Sequence, residues 1–231
     1  MLAIISDIHG NYPALTAVMK EIGKLGCSRI ISLGDVAGYY CMVNECVELL
    51  QEKNIVNILG NHDRYLLKKE KCPRSYSANM CLEYQQQIVT KSSLAWLVQS
   101  VEKIEIANMS MVHGGWNDYV DEYLYEIKPD EFLNRPELYY FAGHTHVQYL
   151  RWFSDKVFCN PGAVGQPRDG NPMAAFAVLD HGTVTLHRVG YDVELICDKM
   201  AQAGFAARFY ENLYSGTKIG GEVAQIYCQE A

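Results

Sequence analysis

Five short apolar runs, each ending abruptly in polar residues, constrain the fold of this chain more than any other feature. They are LAIIS (2–6), RIISL (29–33), NIVNIL (54–59), MSMV (109–112) and LYYFA (138–142). Continuous apolar runs of this length are typical of strands buried on both faces of a sheet. We therefore predict an α/β fold in which polar residues directly follow buried strands.

Amphipathic segments separate the first three runs. Residues 12–26 and 43–54 carry apolar side chains at helical spacing. The order strand, helix, strand, helix, strand predicts parallel strands joined by right-handed crossovers. Residues 66–100 look helical in pieces interrupted at Pro73, and we interpret them as a helical insertion near the strand ends.

The carboxy-terminal part of the chain is rich in strand-like segments and ends in predicted helices. The segments are VQYLRWF, KVFCN, MAAFAVLD and TVTLHRV, with DHG (180–182) as a hairpin turn. Residues 191–204 and 205–216 each end at a glycine and predict two closing helices. Because there is no internal repeat or linker, we expect one domain over residues 1–231, with the insertion at about 66–100 and the closing helices at about 191–216.

Composition and charge argue against several classes of protein. A net charge of −7 in 231 residues disfavours general binding to nucleic acid. No apolar run approaches the length of a membrane span, and MLAIISDIHG lacks the basic region of a secretory signal. The eight cysteines form no C-x-x-C pair, so we expect a cytoplasmic protein with reduced, mostly buried thiols. Nothing in the sequence predicts an oligomeric state.

Polar residues gather where the predicted strands end, which is where open α/β sheets bind ligands. The candidates are Asp7, His9, Asp35, Asn61, His113, His144 and His146. Two pairs are separated by one residue, and in an extended segment that spacing directs both side chains to the same face. Two carboxylates, an amide and four imidazoles are enough ligands for two divalent ions that share a carboxylate. Taken singly, each fragment is explained as well by a turn or a helix N-cap.

Together, these fragments resemble a known family. DIH (7–9), GDVAGY (34–39), GNHD (60–63), HGG (113–115) and GHTH (143–146) look like the five blocks of the calcineurin-like metallophosphoesterase superfamily. The resemblance covers about residues 1–180, and NPGAVGQPRDG (160–170) is similar to a segment of its small bacterial and archaeal phosphoesterases. It implies a four-layer α/β/β/α sandwich.

The resemblance also implies a metal centre and a reaction. Two divalent transition-metal ions (Mn²⁺, Fe, Ni²⁺, Co²⁺ or Zn²⁺) would be bridged by Asp35. One would be held by Asp7, His9 and His146, and the other by Asn61, His113 and His144. A metal-bridging hydroxide would attack the phosphorus of a phosphodiester or phosphomonoester.

Three further roles belong to this interpretation. The resemblance implies that His62 stabilises the phosphate or protonates the leaving oxygen, with Asp63 orienting it. Arg64 and Arg168 each follow a site motif and could bind a phosphate. We therefore predict a metal-dependent phosphoric ester hydrolase whose partner is a phosphate ester, with a nucleotide as one option.

Other activities stay open. The tail beginning YDVE is similar to a branch described as diadenosine polyphosphate hydrolases or protein phosphatases, so a dinucleoside polyphosphate hydrolase or a Ser/Thr protein phosphatase is an alternative. Tyr39, Tyr40, Tyr76 or Trp116 would support a nucleotide substrate if they lined the metal site. A non-catalytic scaffold of the same fold is the alternative from another class, and the complete ligand set weighs against it.

Overall fold

The apolar runs form two five-stranded sheets that face each other. The computed structural model describes residues 1–229. Its strands are β1 Leu2–Ile5, β2 Arg29–Ser32, β3 Val56–Asn57, β4 Lys103–Ile106, β5 Met109–Val112, β6 Glu126–Ile127, β7 Tyr139–Ala142, β8 Gln148–Phe153, β9 Lys156–Pro161, β10 Ala174–Asp180, β11 Thr183–Val189 and β12 Tyr227–Cys228.

Helices cover the sheets. The α-helices are α1 Tyr12–Leu25, α2 Val43–Glu52, α3 Asn61–Lys68, α4 Tyr76–Ile88, α5 Lys91–Leu97, α6 Pro129–Leu133 and α7 Val193–Gln202. Three of them, α3 to α5, lie in the sequence between the last parallel strand of the first sheet and the first strand of the second. Helix α1 begins at Asn11, whose side chain accepts a hydrogen bond from the backbone N–H of Ala14. It ends at Gly26, which adopts the left-handed conformation with φ 75°.

The first sheet has the strand order β11-β10-β1-β2-β3. Strands β1, β2 and β3 are parallel, as predicted, and α1 and α2 connect them. Strand β3 is shorter than the apolar run that predicted it. It lies at the sheet edge, where Ile58 instead bridges to Val101 and the chain turns into α3.

The second sheet has the order β4-β5-β7-β9-β8. Strands β5, β7 and β9 are parallel, and β4 and β8 pair antiparallel with their neighbours at the two edges. The carboxyl ends of β5 and β7 therefore point the same way, which brings the polar residues that follow them together.

Alternating side chains build separate cores on the two faces of each sheet. In β1, Ala3 and Ile5 pack against the helices, whereas Ile4 packs against residues of the second sheet such as Phe141. In β7, Tyr140 packs on the outer side with residues of α6. Two sheets flanked by helices confirm the predicted mixed α/β class, with the five-residue α6 and neighbouring loops covering the second sheet.

The carboxy-terminal part follows the prediction only in part. Strands β10 and β11 form a hairpin whose turn residues, His181 and Gly182, both have positive φ. Of the two predicted closing helices, the first is α7, whereas residues 205–216 contain two short 3-10 helices, Ala207–Phe209 and Glu211–Tyr214. The buried amide of Asn212 donates to the backbone carbonyl of Thr217, and the N–H groups of Gly216 and Thr217 donate to the carbonyl of Asn212, so the segment closes in a tight turn.

The helices and thiols bear on two further predictions. Within residues 1–229, every helix lacks the length or the apolar character needed to cross a bilayer. All eight cysteines are unpaired, and six of them are buried. The thiols are therefore mostly buried, as predicted.

Candidate metal centre

The seven candidate ligands meet at the carboxyl ends of strands from both sheets. Asp7, Asp35 and Asn61 follow β1, β2 and β3, whereas His113 and His144 follow β5 and β7. All seven are at most 2% exposed. Burial of this many polar side chains is costly unless they are paired or bind an ion.

The ligands converge because the backbone kinks, and the extended geometry expected for the two pairs was wrong. Asp7, His9, Asp35, His144 and His146 all have positive φ, between 51° and 63°. This left-handed conformation is rare for residues other than glycine and costs on the order of 1 kcal/mol or more at each position. Such strain is concentrated at functional sites and persists where the surrounding structure enforces it.

Asp7, His9, Asp35 and His146 form one group, whose ligand atoms all lie within 4.8 Å of one another. The Nε2 atom of His146 lies 3.3 Å from Oδ1 of Asp7 and 3.1 Å from Nε2 of His9. The Nε2 atom of His9 lies 3.6 Å from Oδ2 of Asp35.

A second group contains Asp35, His113 and His144, again within 4.8 Å. The Nε2 atom of His113 lies 3.4 Å from Oδ2 of Asp35 and 3.2 Å from Oδ1 of Asn61, which places the amide beside this group. His144 and His146 therefore belong to different groups, although they are neighbours in sequence. Asp35 belongs to both.

Backbone carbonyls orient three of the imidazoles. Their Nδ1 atoms face carbonyl oxygens in the pairs His9 with Ala37 (2.7 Å), His113 with Leu33 (2.9 Å) and His146 with Gln166 (2.7 Å). A carbonyl oxygen can only accept a hydrogen bond, so each Nδ1 carries the proton. Each Nε2 is thereby directed at the centre, as in metal-binding histidines generally.

The arrangement fits a cation better than it fits the protein alone. Oδ1 of Asp7, Oδ2 of Asp35 and Nε2 of His144 are buried without a hydrogen-bond partner. Burial lowers the pKa of His9 and His146 well below the ordinary value, so both rings are neutral near pH 7. Their facing Nε2 lone pairs repel each other unless a cation lies between them.

His113 behaves differently, because it lies against a carboxylate. Although burial acts to lower it, the carboxylate of Asp35 raises the pKa of His113 to about 9. Burial opposes ionisation of Asp35 in turn, but His113 and His62 hold the pKa of its carboxyl well below the ordinary value. A proton on His113 thus partly compensates the negative charge that a metal ion would neutralise.

His62 and Asp63 lie beside the centre, but the Asp63 carboxylate makes no hydrogen bond to the His62 ring of the kind that the predicted orienting role requires. The carboxylate of Asp63 accepts hydrogen bonds from the backbone N–H groups of Ala37 (2.9 Å), Asp35 (3.0 Å) and Gly60 (3.3 Å). Asp63 is the third residue of α3, so its side chain turns back toward the helix start and the adjacent loop. Asp63 therefore holds the loop that carries Asp35. The Nδ1 atom of His62 is buried without a hydrogen-bond partner.

The two candidate arginines differ in position. Arg168 is buried and lines a cavity that also contains Asn61 and His62. The guanidinium of Arg64 lies 3.7 Å from Asp121 and is not among the residues lining that cavity. The position of Arg168 is thus suited to phosphate binding, whereas that of Arg64 is better explained by its ion pair.

Of the four aromatic residues considered for stacking, Tyr39 alone lines the cavity beside the centre. Its ring lies 4.9 Å from that of His9 and 5.0 Å from that of His62. Tyr40 is buried and hydrogen-bonded to Gln166, Tyr76 is exposed elsewhere, and Trp116 packs in the core of the second sheet.

Sequence reasoning missed the segment after HGG. Asp121 lies 3.6 Å from Nε2 of His144, and the ring of Tyr123 stacks on His144 with centroids 3.8 Å apart. Tyr125 lies parallel to Tyr123. The alternation of Asp121, Tyr123 and Tyr125 in a polar loop directly after a site motif was the available signal.

Comparison with known proteins identifies the family. A model of the calcineurin-like phosphoesterase superfamily domain matches residues 1–183. The chain belongs to this superfamily. The predicted resemblance is thereby confirmed, and family membership indicates a phosphoesterase acting on phosphate esters.

Three relatives of this calcineurin-like phosphoesterase illustrate the range of similarity. An uncharacterized protein of Methanocaldococcus jannaschii is 31% identical over 240 residues, covering 94% of this chain and 98% of that protein. The crystal structure of a metallophosphoesterase from Sphaerobacter thermophilus has a TM-score of 0.81 and 30% identity, with 94% and 98% coverage. Phosphodiesterase YfcE of Escherichia coli K12 is 24% identical over 196 residues, with 80% and 90% coverage.

Proposed function

We propose that this calcineurin-like phosphoesterase hydrolyses phosphodiester or phosphomonoester bonds with two divalent transition-metal ions. The observation that supports the proposal most directly is the set of buried atoms without partners, Asp7 Oδ1, Asp35 Oδ2 and His144 Nε2. These atoms belong to two groups that share Asp35. When bound, two ions would activate a water molecule and neutralise charge on the phosphate oxygens.

The ligand assignment follows the two groups. Asp7, His9 and His146 would hold one ion, and Asn61, His113 and His144 the other. Asp35 would contribute to both. Nitrogen and oxygen ligands without thiolate suit Mn²⁺, Fe, Co²⁺, Ni²⁺ or Zn²⁺, so availability selects among them.

His62 would act on the substrate and not on the metal. It lines the cavity beside Asn61, and burial lowers the pKa of its imidazole to about 4. The ring of the unliganded protein is therefore neutral at pH 7 and can donate an N–H hydrogen bond to a phosphate oxygen. Of its two predicted roles, this geometry favours phosphate stabilisation.

One hydrogen bond and the absence of a side chain at Gly38 allow His62 to take this position. Its backbone N–H donates to Oδ1 of Asp35 at 2.9 Å. A β-carbon at Gly38 would lie 2.4 Å from its Nδ1 atom, so the glycine makes room for the ring. Asp63 would be a positioning residue for the Asp35 loop.

Diesters are the first substrates to test, because the relative YfcE is a phosphodiesterase. The unpaired thiols of all eight cysteines support a reducing compartment, and we include a cytoplasmic location in the proposal.

The protein is first stripped of metal with a chelator, and each ion is then added back separately, beginning with Mn²⁺. Hydrolysis of bis-p-nitrophenyl phosphate and of p-nitrophenyl phosphate is compared for each ion. Asp35→Asn should abolish metal-dependent turnover. Asp180→Asn, an exposed change in the β10–β11 hairpin, is the matched control and should leave turnover unchanged. Equal turnover by Asp35→Asn and the unaltered protein would contradict the proposed centre.

A further inference from the structure

A buried glutamine on helix α4, Gln85, is hydrogen-bonded to the loop that carries Asp35. Helix α4 lies in the segment that the sequence predicts to be a helical insertion, and the Gln85 side chain is fully buried. Its Oε1 atom accepts a hydrogen bond from the backbone N–H of Gly38 at 2.8 Å, and its Nε2 atom donates to the carbonyl of the same residue at 2.7 Å. Nε2 also donates to the carbonyl of Tyr40. One side chain thus makes three hydrogen bonds to the backbone of this loop.

The arrangement of donors and acceptors is specific to an amide. The two carbonyl oxygens of Gly38 and Tyr40 face the Nε2 atom, which has two N–H groups, and Oε1 accepts from a backbone N–H. A carboxylate of the same size would place an oxygen atom against both carbonyl oxygens. A methionine side chain would make none of the three hydrogen bonds. Gln85 therefore holds the loop in a way that neither replacement can reproduce.

The backbone of Gly38 separates Gln85 from two imidazoles of the centre. A β-carbon at Gly38 would lie 2.4 Å from Nδ1 of His62 and 2.8 Å from Nδ1 of His9, so the loop backbone is packed directly against both rings. The preceding residue, Ala37, accepts the hydrogen bond from Nδ1 of His9 through its carbonyl. A displacement of the loop at Gly38 would therefore change the surroundings of both histidines.

The loop needs such support because its backbone is strained. Gly38 has a φ of 99° and Tyr39 a φ of 32°, and a positive φ is unfavourable for tyrosine. Strain of this kind persists only where neighbouring contacts enforce it. The hydrogen bonds from Gln85 end on the residues directly before and after Tyr39, so they oppose relaxation of the loop at this point.

We propose that Gln85 is a positioning residue for the metal centre, where it fixes the loop so that Ala37 orients His9 and the Gly38 backbone supports His62. This inference rests on the proposed phosphoesterase function, which gives both histidines their roles. The other group of ligands has separate support, because the carbonyl of Leu33 orients His113. Loss of the Gln85 amide should therefore disturb His9 and leave the orientation of His113 unchanged.

The first test follows the Nδ1 protons of His9 and His113 by NMR in the metal-free protein. Each proton is hydrogen-bonded to a backbone carbonyl, which slows its exchange with water. Gln85→Met should speed exchange of the His9 proton by about tenfold or more and alter that of His113 by less than about threefold. Unchanged exchange of the His9 proton in this variant would overturn the inference.

The second test uses Gln85→Glu, because a protonated carboxyl group can again donate a hydrogen bond to a carbonyl. Burial raises the pKa of a carboxyl group, so the donating form is present at low pH and is lost as the pH rises through that pKa. The kcat/KM of this variant for bis-p-nitrophenyl phosphate, divided by that of the unaltered protein, should therefore fall from pH 6 to pH 9. A purely structural defect would lower the ratio equally at every pH, and a ratio that does not fall would contradict the proposed role.

Gln87→Met and Gln87→Glu are the matched controls, because Gln87 is exposed and lies two residues further along α4. Both should leave proton exchange and the kcat/KM ratio unchanged. The unaltered protein also tests the inference without any variant having to fold. Its Gln85 side-chain amide should exchange with water at least about tenfold more slowly than that of Gln87, and equal rates would overturn the inference.

The two proposals fail in different ways. Metal-loaded protein that hydrolyses no phosphate ester, although Gln85→Met exposes the His9 proton, would refute the proposed function and leave the positioning role of Gln85 intact. Active protein in which Gln85→Met leaves the His9 proton protected would refute this inference alone.

Discussion

Replacing Gly60 with alanine should disable the centre, because the missing side chain of Gly60 makes room for Asp35. A β-carbon at position 60 would lie 2.0 Å from Oδ1 of Asp35 and 2.3 Å from its backbone nitrogen. The backbone of Gly60 is extended, with φ −85° and ψ 166°. Alanine tolerates that conformation, so the conflict is purely steric.

The size of the effect follows from the displacement of Asp35. Carbon–oxygen contacts are ordinarily no closer than about 3.3 Å, so Oδ1 must retreat by roughly 1 Å. The carboxylate then loses the hydrogen bond from the backbone N–H of His62. Such a bond contributes about 1.5–3 kcal/mol and overpacking costs about 1–3 kcal/mol, so we expect the free energy of unfolding to fall by about 2.5–6 kcal/mol. A misplacement of roughly 1 Å should also lower kcat/KM by roughly 100-fold.

Three measurements check this prediction: urea unfolding, Mn²⁺ titration and hydrolysis of bis-p-nitrophenyl phosphate. Gly23→Ala is the matched control, because position 23 lies inside α1 and a β-carbon there meets nothing within 4 Å. That change should raise the free energy of unfolding by about 0.5–1 kcal/mol. If Gly60→Ala kept both the Mn²⁺ affinity and the stability of the unaltered protein, the steric reasoning would be refuted.

Three further predictions concern single residues. His62→Ala should keep Mn²⁺ affinity and lower kcat by roughly 100-fold, and loss of the metal instead would place His62 among the ligands. His113, with a pKa of about 9 in the metal-free protein, must lose a proton to bind an ion. Mn²⁺ affinity should therefore rise from pH 6 to pH 9, and Mn²⁺ binding in a weakly buffered solution should release protons. Mn²⁺ binding without proton release would contradict this prediction. Asp192→Ala removes the side chain that accepts a hydrogen bond from the backbone N–H of Leu195 at the start of α7. Urea unfolding should therefore show a free energy of unfolding lower by about 1 kcal/mol, and turnover should be unchanged.

The parallel strands and their polar ends could be predicted because both depend on short sequence patterns. Buried strands such as β1 and β7 require continuous apolar runs, and the residue after each run must lie at the sheet edge. The positions of Asp7, Asp35 and His144 follow from this rule without knowledge of their contacts. Family resemblance then suggested which metal each residue would contact.

The geometry within the loops could not be predicted in the same way. The left-handed backbone at His144 and His146 is enforced by neighbours distant in sequence, such as Gln166, whose carbonyl binds His146. Likewise, the carboxylate of Asp63 accepts a hydrogen bond from the backbone N–H of Ala37 and none from the ring of His62, because the Asp35 loop lies against the start of α3. Contacts of this kind depend on tertiary packing, which spacing rules do not describe.

The order of the strands has a consequence for biosynthesis. Every proposed ligand precedes residue 147, yet β1, which leads into the Asp7 loop, lies between β2 and the late strand β10. The loop that carries Asp7 also accepts hydrogen bonds from the N–H groups of Val164 and Gly165. A nascent chain that has just synthesised its last ligand therefore still has one edge of β1 unpaired and lacks the two hydrogen bonds from Val164 and Gly165. We therefore expect the centre to reach its final geometry only once residues 164 and 165 have bonded to the Asp7 loop and β10 has paired with β1.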